Sequence, residues 1–335
     1  MTGAGGQRVT GGQLTVVRAG ALTTPQDLGR PGHAHLGVPR AGALDPPAHR
    51  AANRLVGNPR DAATLETTIT GCALRTDRAV VVAVTGAPCP VRVDGRPAAW
   101  GEPVRVPAGA VLEAGPATHG VRSYVAFAGG LAVPRVLGSR SADLLSGLGP
   151  APLRDGDVLP LGEPGDAVAR PERVPLPGPP RELVLPLLPG PRADWFAPEA
   201  LRVLATGDYR VSSASNRIGL RTEGPALPRA HEDELPSEGM ASGALQVPPH
   251  GRPILFLADH PTTGGYPVVG VVPERFLAAA AQAVPGTPVR FVPLSPARIV
   301  SPRPAGITPR VALPCPPQVA PPRPAPAVAH SPGGP

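Results

Sequence analysis

The chain has 335 residues, of which 51 are proline and 41 glycine, and a formal charge of +7 in which all 32 cationic side chains are arginine and none is lysine. The length suffices for two domains with separate cores, while the proline and glycine load excludes a helix-dominated fold, because both residues break helices. The missing lysine excludes a Walker A phosphate clamp, a Schiff-base nucleophile and a biotin attachment point within this chain.

The positive charge is not a nucleic-acid footprint. No acidic residue follows Glu274, whereas Arg275, Arg290, Arg298, Arg303, Arg310 and Arg323 do, so six of the seven net charges lie there. Elsewhere acids and bases are interspersed, and three tyrosines offer little for base stacking, so no nucleic-acid partner is expected. Cys72, Cys89 and Cys315 are odd in number and lack C-x-x-C spacing, which reads as incidental reduced thiols. Residues 1–13 are Gly-rich without the apolar stretch of a signal peptide, and no apolar run approaches spanning length. A cytoplasmic protein without a membrane partner is therefore expected.

After a flexible N-terminus over residues 1–13, short apolar runs alternate with turn clusters. Leu14–Val17, Val80–Val84, Val104–Val106 and Val121–Ala128 are predicted strands. Pro46–Leu55 is a predicted helix, with Ala48, Ala51, Ala52 and Leu55 at helical spacing and Gly57 just beyond as a stop signal. A Pro/Gly-rich stretch over 161–182 reads as a linker between a first domain, 14–160, and a second, 183–300. The second domain carries predicted strands at Leu183–Leu188, Leu201–Leu204, Arg210–Ser213, Ala244–Val247 and Ile254–Ala258, then a predicted helix at Pro273–Ala283. Residues 301–335 hold twelve prolines and no aromatic residue, a composition unable to offset ordering entropy, so a disordered tail is expected.

The run Val17 to Gly32, with Gln26-Asp27-Leu28-Gly29-Arg30 at its centre, resembles the opening of the family of KipA and the 5-oxoprolinase C subunit, also described as biotin-dependent carboxyltransferase-like. The resemblance continues at Gly42-Ala43-Leu44-Asp45, Ala52 to Asn58, Leu65-Glu66, Ala128-Gly129-Gly130 and Gly138-Ser139-Arg140-Ser141. It returns at Ser215-Asn216-Arg217-Ile218-Gly219, Ser237-Glu238-Gly239, Gly243 to Pro248, and Ala258-Asp259 with Thr262-Thr263-Gly264-Gly265-Tyr266-Pro267. Asn216 stands where the pattern has Asp, and His260-Pro261 replaces a longer polar pair. The resemblance implies a mainly β fold of two tandem cyclophilin-like β-barrel domains with a few short helices. It also implies a complex with the KipI-like B-type subunit of 5-oxoprolinase, joined by the A-type subunit for full activity. The implied reaction is ATP-driven hydrolysis of 5-oxo-L-proline (pyroglutamate) to L-glutamate, with ATP and Mg held together with the partner subunits. Two alternatives belong to the same family: a urea carboxylase-like carboxyltransferase taking biotin from another chain, and a regulator binding a histidine-kinase inhibitor.

Opening a lactam requires groups for a carboxylate, a phosphoryl group and a developing oxyanion. Arg217 is the candidate grip on a substrate carboxylate, on a turn expected to be exposed; a structural ion pair is the alternative. Thr262, Thr263, Gly264 and Gly265, with Tyr266 as a lid, form a candidate anion nest; a tight hairpin is the alternative. Asp259 and Glu238, with Thr263, are the candidate catalytic groups, and Gln246 a candidate hydrogen-bonding partner for a lactam. Gln26, Asp27 and Arg30, together with Ser139, Arg140 and Ser141, make a second polar cluster suited to contact with a partner chain or to domain docking. No metal site is expected, since His33, His35 and His49 have no supporting carboxylate pattern. Truncation before Ser301 is expected to leave the melting temperature within a few degrees; a larger drop, corresponding to a loss of about 1 kcal/mol or more, would show that the tail packs.

Overall fold

Alternation of apolar and polar residues builds two β structures in succession, seen in a computed structural model that describes residues 12–165, 172–175, 177–178, 181–231, 233 and 235–294. The expected tail over 301–335 lies outside the described residues, as do residues 1–11 and much of the expected linker.

The first half divides its strands between two antiparallel sheets. One orders Val158–Pro160, Gln13–Arg18, Cys72–Thr76, Val111–Ala114, Val91–Val93 and Arg96–Ala98. The other orders Thr23–Gln26, Thr64–Thr68, Arg122–Phe127, Val80–Gly86 and Pro103–Val106. Inward positions of both sheets, among them Leu14, Val16, Leu65, Leu74, Val82, Leu112 and Phe127, share one core. Helix α1, Pro46–Leu55, has the predicted bounds: Asp45 caps it by accepting from the Ala48 N–H at 3.0 Å, and prolines fill its first positions, where no intrahelical N–H bond is lost. Its Ala51, Ala52 and Leu55 face is buried.

The second half closes into a seven-stranded barrel, ordered Leu183–Pro189, Val268–Val271, Ala244–Gln246, Ile254–Phe256, Gly219–Glu223, Tyr209–Val211 and Pro288–Pro293. Parallel pairing of Leu183–Pro189 with Pro288–Pro293 completes the ring. The interior is filled by Leu185, Leu187, Leu220, Leu245, Leu255 and Phe291. The mainly β reading with few short helices therefore holds. The run Leu201–Leu204 is a correction: it lies in helix α2, Ala200–Thr206, burying Ala200 and Leu204 one turn apart. Four residues, three of them apolar around Arg202, are too short to carry a periodicity that distinguishes the two conformations. The predicted Pro273–Ala283 helix is a 3-10 turn at Glu274–Phe276 followed by α3, Leu277–Ala281.

Both halves belong to one compact unit. Leu44 of the first half packs into the core of the second. The Gln282 side chain at the end of α3 accepts from the Val121 and Arg122 N–H groups at 3.0 and 2.9 Å. Its Nε2 donates to Asp45 Oδ2 at 2.9 Å and to the Arg122 carbonyl at 2.8 Å. One side chain thus satisfies four groups across the junction.

His49 on α1 is fully buried. Its Nδ1 lies 2.9 Å from Thr64 Oγ1 and its Nε2 3.3 Å from Asn53 Nδ2. Burial, opposed in part by Asp27 and Glu66, lowers its pKa to about 4. The fold favours the neutral ring, so this contribution is complete above pH 6.5 and is lost as pH falls from 6.5 towards 4, amounting to about 3 kcal/mol. The wild-type melting temperature should fall more steeply over that window than that of His49→Gln; parallel curves would contradict a buried neutral histidine.

Candidate functional site

The strand Thr64–Thr68 carries one carboxylate, Glu66, inside an otherwise uncharged buried segment. A lone buried charge is costly unless paired, and its partners come from both halves. Directly opposite on the neighbouring strand is Tyr124, whose hydroxyl donates to Glu66 Oε2 at 2.7 Å; the Leu44 N–H donates to the same oxygen at 3.0 Å. From the barrel, Arg217 Nη1 donates to Glu66 Oε1. Arg122 Nε stands 3.6 Å from that oxygen, and Arg122 Nη1 donates to the Ala281 carbonyl. Burial alone would push the Glu66 carboxyl up, but Arg217 and Arg122, with the Leu44 N–H and the Tyr124 hydroxyl, hold it below its usual value. Tyr124, buried beside Glu66 and Asp45, is pushed well above the ordinary phenol value and stays a proton donor.

Arg217 is therefore not on an exposed surface, as its Ser-Asn-Arg context suggests, but 1% exposed. The exposed part of that turn is Asn216, whose Oδ1 accepts from the Ile218 and Gly219 N–H groups at 2.9 and 3.3 Å. The guanidinium points inward: Nε and Nη2 donate to Asp259 Oδ2 and Oδ1, both at 2.9 Å, and Nη2 also donates to the Gly42 carbonyl at 2.7 Å. Burial opposes its charge, yet Glu66 and Asp259 outweigh it and raise its pKa. Burial pushes the Asp259 carboxyl up against the pull of this fork. A cation so saturated has no free bidentate edge for a ligand carboxylate, so the ion-pair alternative describes Arg217.

Asp259 continues the junction by accepting the Leu144 N–H at 3.1 Å. Leu144 follows the second predicted cluster, whose distant members the fold brings together around Asp27. Its Oδ1 accepts from Ser139 Oγ at 2.5 Å, Ser141 Oγ at 2.6 Å and the Gly29 N–H at 2.8 Å, and its Oδ2 from the Arg140 N–H at 2.6 Å. Gln26 Nε2 donates to Thr24 Oγ1 and the Ala142 carbonyl. Arg30 bonds the Val136 and Ser141 carbonyls rather than Asp27. Four donors already satisfy Asp27 without Arg30.

The remaining candidates gather at one edge of the barrel. Glu238–Gly239 pairs with Thr263–Gly264 as a two-stranded ribbon, and Glu238 takes both ends of an Arg192 fork. Gln246 Nε2 donates to the Tyr266 carbonyl at 3.2 Å and presses on Gly264, where a Cβ would come within 2.8 Å of it. Neither Gly264 nor Gly265 has positive φ, and Thr263–Gly264 pairs with the distant Glu238–Gly239 rather than within its own turn, so the segment is neither the expected nest nor a tight hairpin but a long-range ladder. Thr262 and Tyr266 are half-buried and Thr263 is exposed. The Arg217 guanidinium is turned to Glu66, Asp259 and the Gly42 carbonyl, and among the described residues no hydrogen bond joins it to residues 262–266.

Sequence reading misses Glu66, Arg122, Tyr124 and Gln282 as parts of the site. Its available signal is charge inside buried strands, Glu66 in Thr-Leu-Glu-Thr-Thr and Arg122 in Arg-Ser-Tyr-Val-Ala-Phe. Outside this cluster, a small cleft between the halves is walled by Leu44, Leu257 and Leu277 and rimmed by Arg40, Arg50 and Glu274. Among the described residues no group of three or more His, Cys, Asp or Glu side chains could hold a metal ion. Burial pushes the Cys72 thiol up to about 12, away from nucleophilic chemistry.

Residues 36–293 match the family described as the carboxyltransferase domain, subdomain A and B. The chain is 38% identical over 286 residues to the 5-oxoprolinase C subunit of Escherichia coli (strain K12), covering 83% of this chain and 90% of that one. It is 33% identical to urea amidolyase of Lachancea kluyveri, covering 83% of this chain but 17% of that one. The crystal structure of TTHA0988 superimposes with a TM-score of 0.77 at 39% identity, over 84% of this chain; the chain spans 56% of TTHA0988. Replacing Arg217 with Ala should strip two buried carboxylates of their shared cation and destabilise the fold by about 3 to 5 kcal/mol, read as a fall in chemical denaturation midpoint. An unchanged midpoint would contradict the pairing.

Proposed function

The chain belongs to the family of the carboxyltransferase domain, subdomain A and B, and from that premise we propose that it serves as the C subunit of an ATP-dependent 5-oxoprolinase. In this role it contributes to the ATP-driven hydrolysis of 5-oxo-L-proline to L-glutamate. The observation that carries the reading is its 38% identity to the Escherichia coli protein along 90% of that chain. The relationship covers nearly the whole relative rather than a fragment of a larger enzyme.

Lactam opening runs against amide resonance and against the proximity that favours ring closure, which is why coupling to ATP is needed. The buried carboxylates of the junction do not fit Mg. The carboxylates of Asp27, Glu66 and Asp259 are committed to protein donors, and the chain has no lysine to clamp a phosphate. We place nucleotide and metal on the KipI-like B-type and the A-type partners, and the contribution of this chain in binding and orienting the substrate.

Carboxyl transfer to a urea-like acceptor is the second reading, favoured by the urea amidolyase relative. It ranks lower because this chain corresponds to 17% of that protein, and it requires biotin carried on another chain. Reconstitution of the chain with its A-type and B-type partners should give 5-oxoproline-stimulated ATP hydrolysis and glutamate, and the purified chain alone should give neither. Glutamate formed by the single chain would overturn the multi-subunit reading, and a complex stimulated by urea but not by 5-oxoproline would favour carboxyl transfer.

A further inference from the structure

The cleft between the halves has a volume of about 70 Å³. A water requires roughly 10–15 Å³ by the same measure, so the space suits a ring of a few atoms and not a nucleotide. Its walls are held by the junction itself. The Ala41 N–H donates across the halves to the Ala258 carbonyl at 3.1 Å, and Gly42, at φ 101°, gives its carbonyl to Arg217. A Cβ on Gly42 would come within 2.9 Å of the Gly29 nitrogen, so the close approach that shapes this wall requires glycine. Ala41, with φ 52°, is held in the left-handed region that ordinary residues avoid.

Apolar walls and a rim of Arg40 and Arg50, whose charge the exposed Glu274 carboxylate offsets only in part, define the chemistry of what fits. Leu44, Leu257 and Leu277 offer a surface for methylene groups. Arg50 projects from α1, is exposed, and has no ion-pair partner among the described residues. Arg40 makes one 3.5 Å contact to Glu274, with both side chains largely exposed, a pair that holds little energy and yields readily to a better anion. A guanidinium with its fork free is matched by a carboxylate.

We propose that this cleft binds a small cyclic monocarboxylate, its carboxylate on Arg50 and Arg40 and its ring against the three leucines. Ser242, half-buried in the lining, is the hydroxyl available to a ring amide. The assignment of 5-oxoproline as the member of this class rests on the function proposed above; the class itself rests on the cleft. The junction cluster is then a positioning device: Arg217 does not touch the ligand, but fixes the loop whose residues form one wall.

The test is calorimetric titration of the full-length chain with 5-oxoproline, with cyclopentanecarboxylate, which keeps ring and carboxylate but lacks the lactam, and with 2-pyrrolidinone, which lacks the carboxylate. Both carboxylates should bind saturably. Arg50→Gln should weaken them at least tenfold and Arg40→Gln by a smaller factor, with melting temperatures unchanged because both side chains are exposed. Arg105→Gln, which removes the same charge at an exposed position elsewhere, should leave binding as in the wild type. Binding of 2-pyrrolidinone as tight as that of 5-oxoproline would overturn the carboxylate assignment. Arg50-dependent binding of cyclopentanecarboxylate without binding of 5-oxoproline would uphold the cleft and reject 5-oxoproline as its ligand. Saturable binding of neither carboxylate, or binding undiminished in the Arg40→Gln/Arg50→Gln double variant, would overturn the proposal.

Discussion

A guanidinium and two carboxylates removed from water together constrain every group around them. Each ion loses several kcal/mol of hydration, and the loss is recovered only when geometry is good and the remaining hydrogen-bonding positions are filled. Around Arg217 those conditions are met by both halves at once: Asp259 comes from the barrel, Glu66 and the Gly42 carbonyl from the sheets. Neither half buries this cation properly without the other. Such a cluster selects one relative placement of the halves more than it adds net stability, because an alternative docking would leave a charge buried and unpaired.

From that placement the rest of the junction follows. Glu66 also holds the Leu44 N–H, which seats the Leu44 side chain in the core of the barrel. Tyr124 joins Glu66 to the Asp45 N–H, and Asp45 both caps α1 and accepts from Gln282. Asp259 reaches the loop after Ser141 through Leu144, and that loop is tied to Asp27. The α1 arginine at the cleft rim is thus set by the same network that fixes the cleft walls. A site assembled on such a frame meets its ligand already shaped, which lowers the ordering cost of binding.

Much of the fold is legible because its signals are local. Pro46-Pro47 after Asp45, alanines at helical spacing and Gly57 specify α1 without reference to tertiary structure, and a short β-branched apolar run specifies Val80–Gly86. Leu201–Leu204 misleads because so short a run carries no period, and burial of Ala200 and Leu204 decides the matter only after folding. The polar site is legible in its membership and not in its pairing. Arg217 and Asp259 lie 42 residues apart, yet the partner that determines what Arg217 does is Glu66, 151 residues away. Nothing local distinguishes a guanidinium that meets a ligand from one that meets a carboxylate of another strand. The clusters at Asp27 and Ser139 show the converse: two segments singled out separately prove to be one set of hydrogen bonds.

The central claim is that Glu66 and Arg217 are energetically one unit linking the halves. A double-mutant cycle on folding stability measures this directly, using Glu66→Gln and Arg217→Met, which keep approximate volume while removing charge. The account predicts strong coupling: each single variant leaves the cluster with a net buried charge, whereas the double variant restores neutrality, although Asp259 still lacks its fork, and so recovers part of the loss, with an interaction energy of about 2 kcal/mol or more. Additive losses within about 0.5 kcal/mol would contradict it, since they would mean that the two side chains do not depend on each other across the junction.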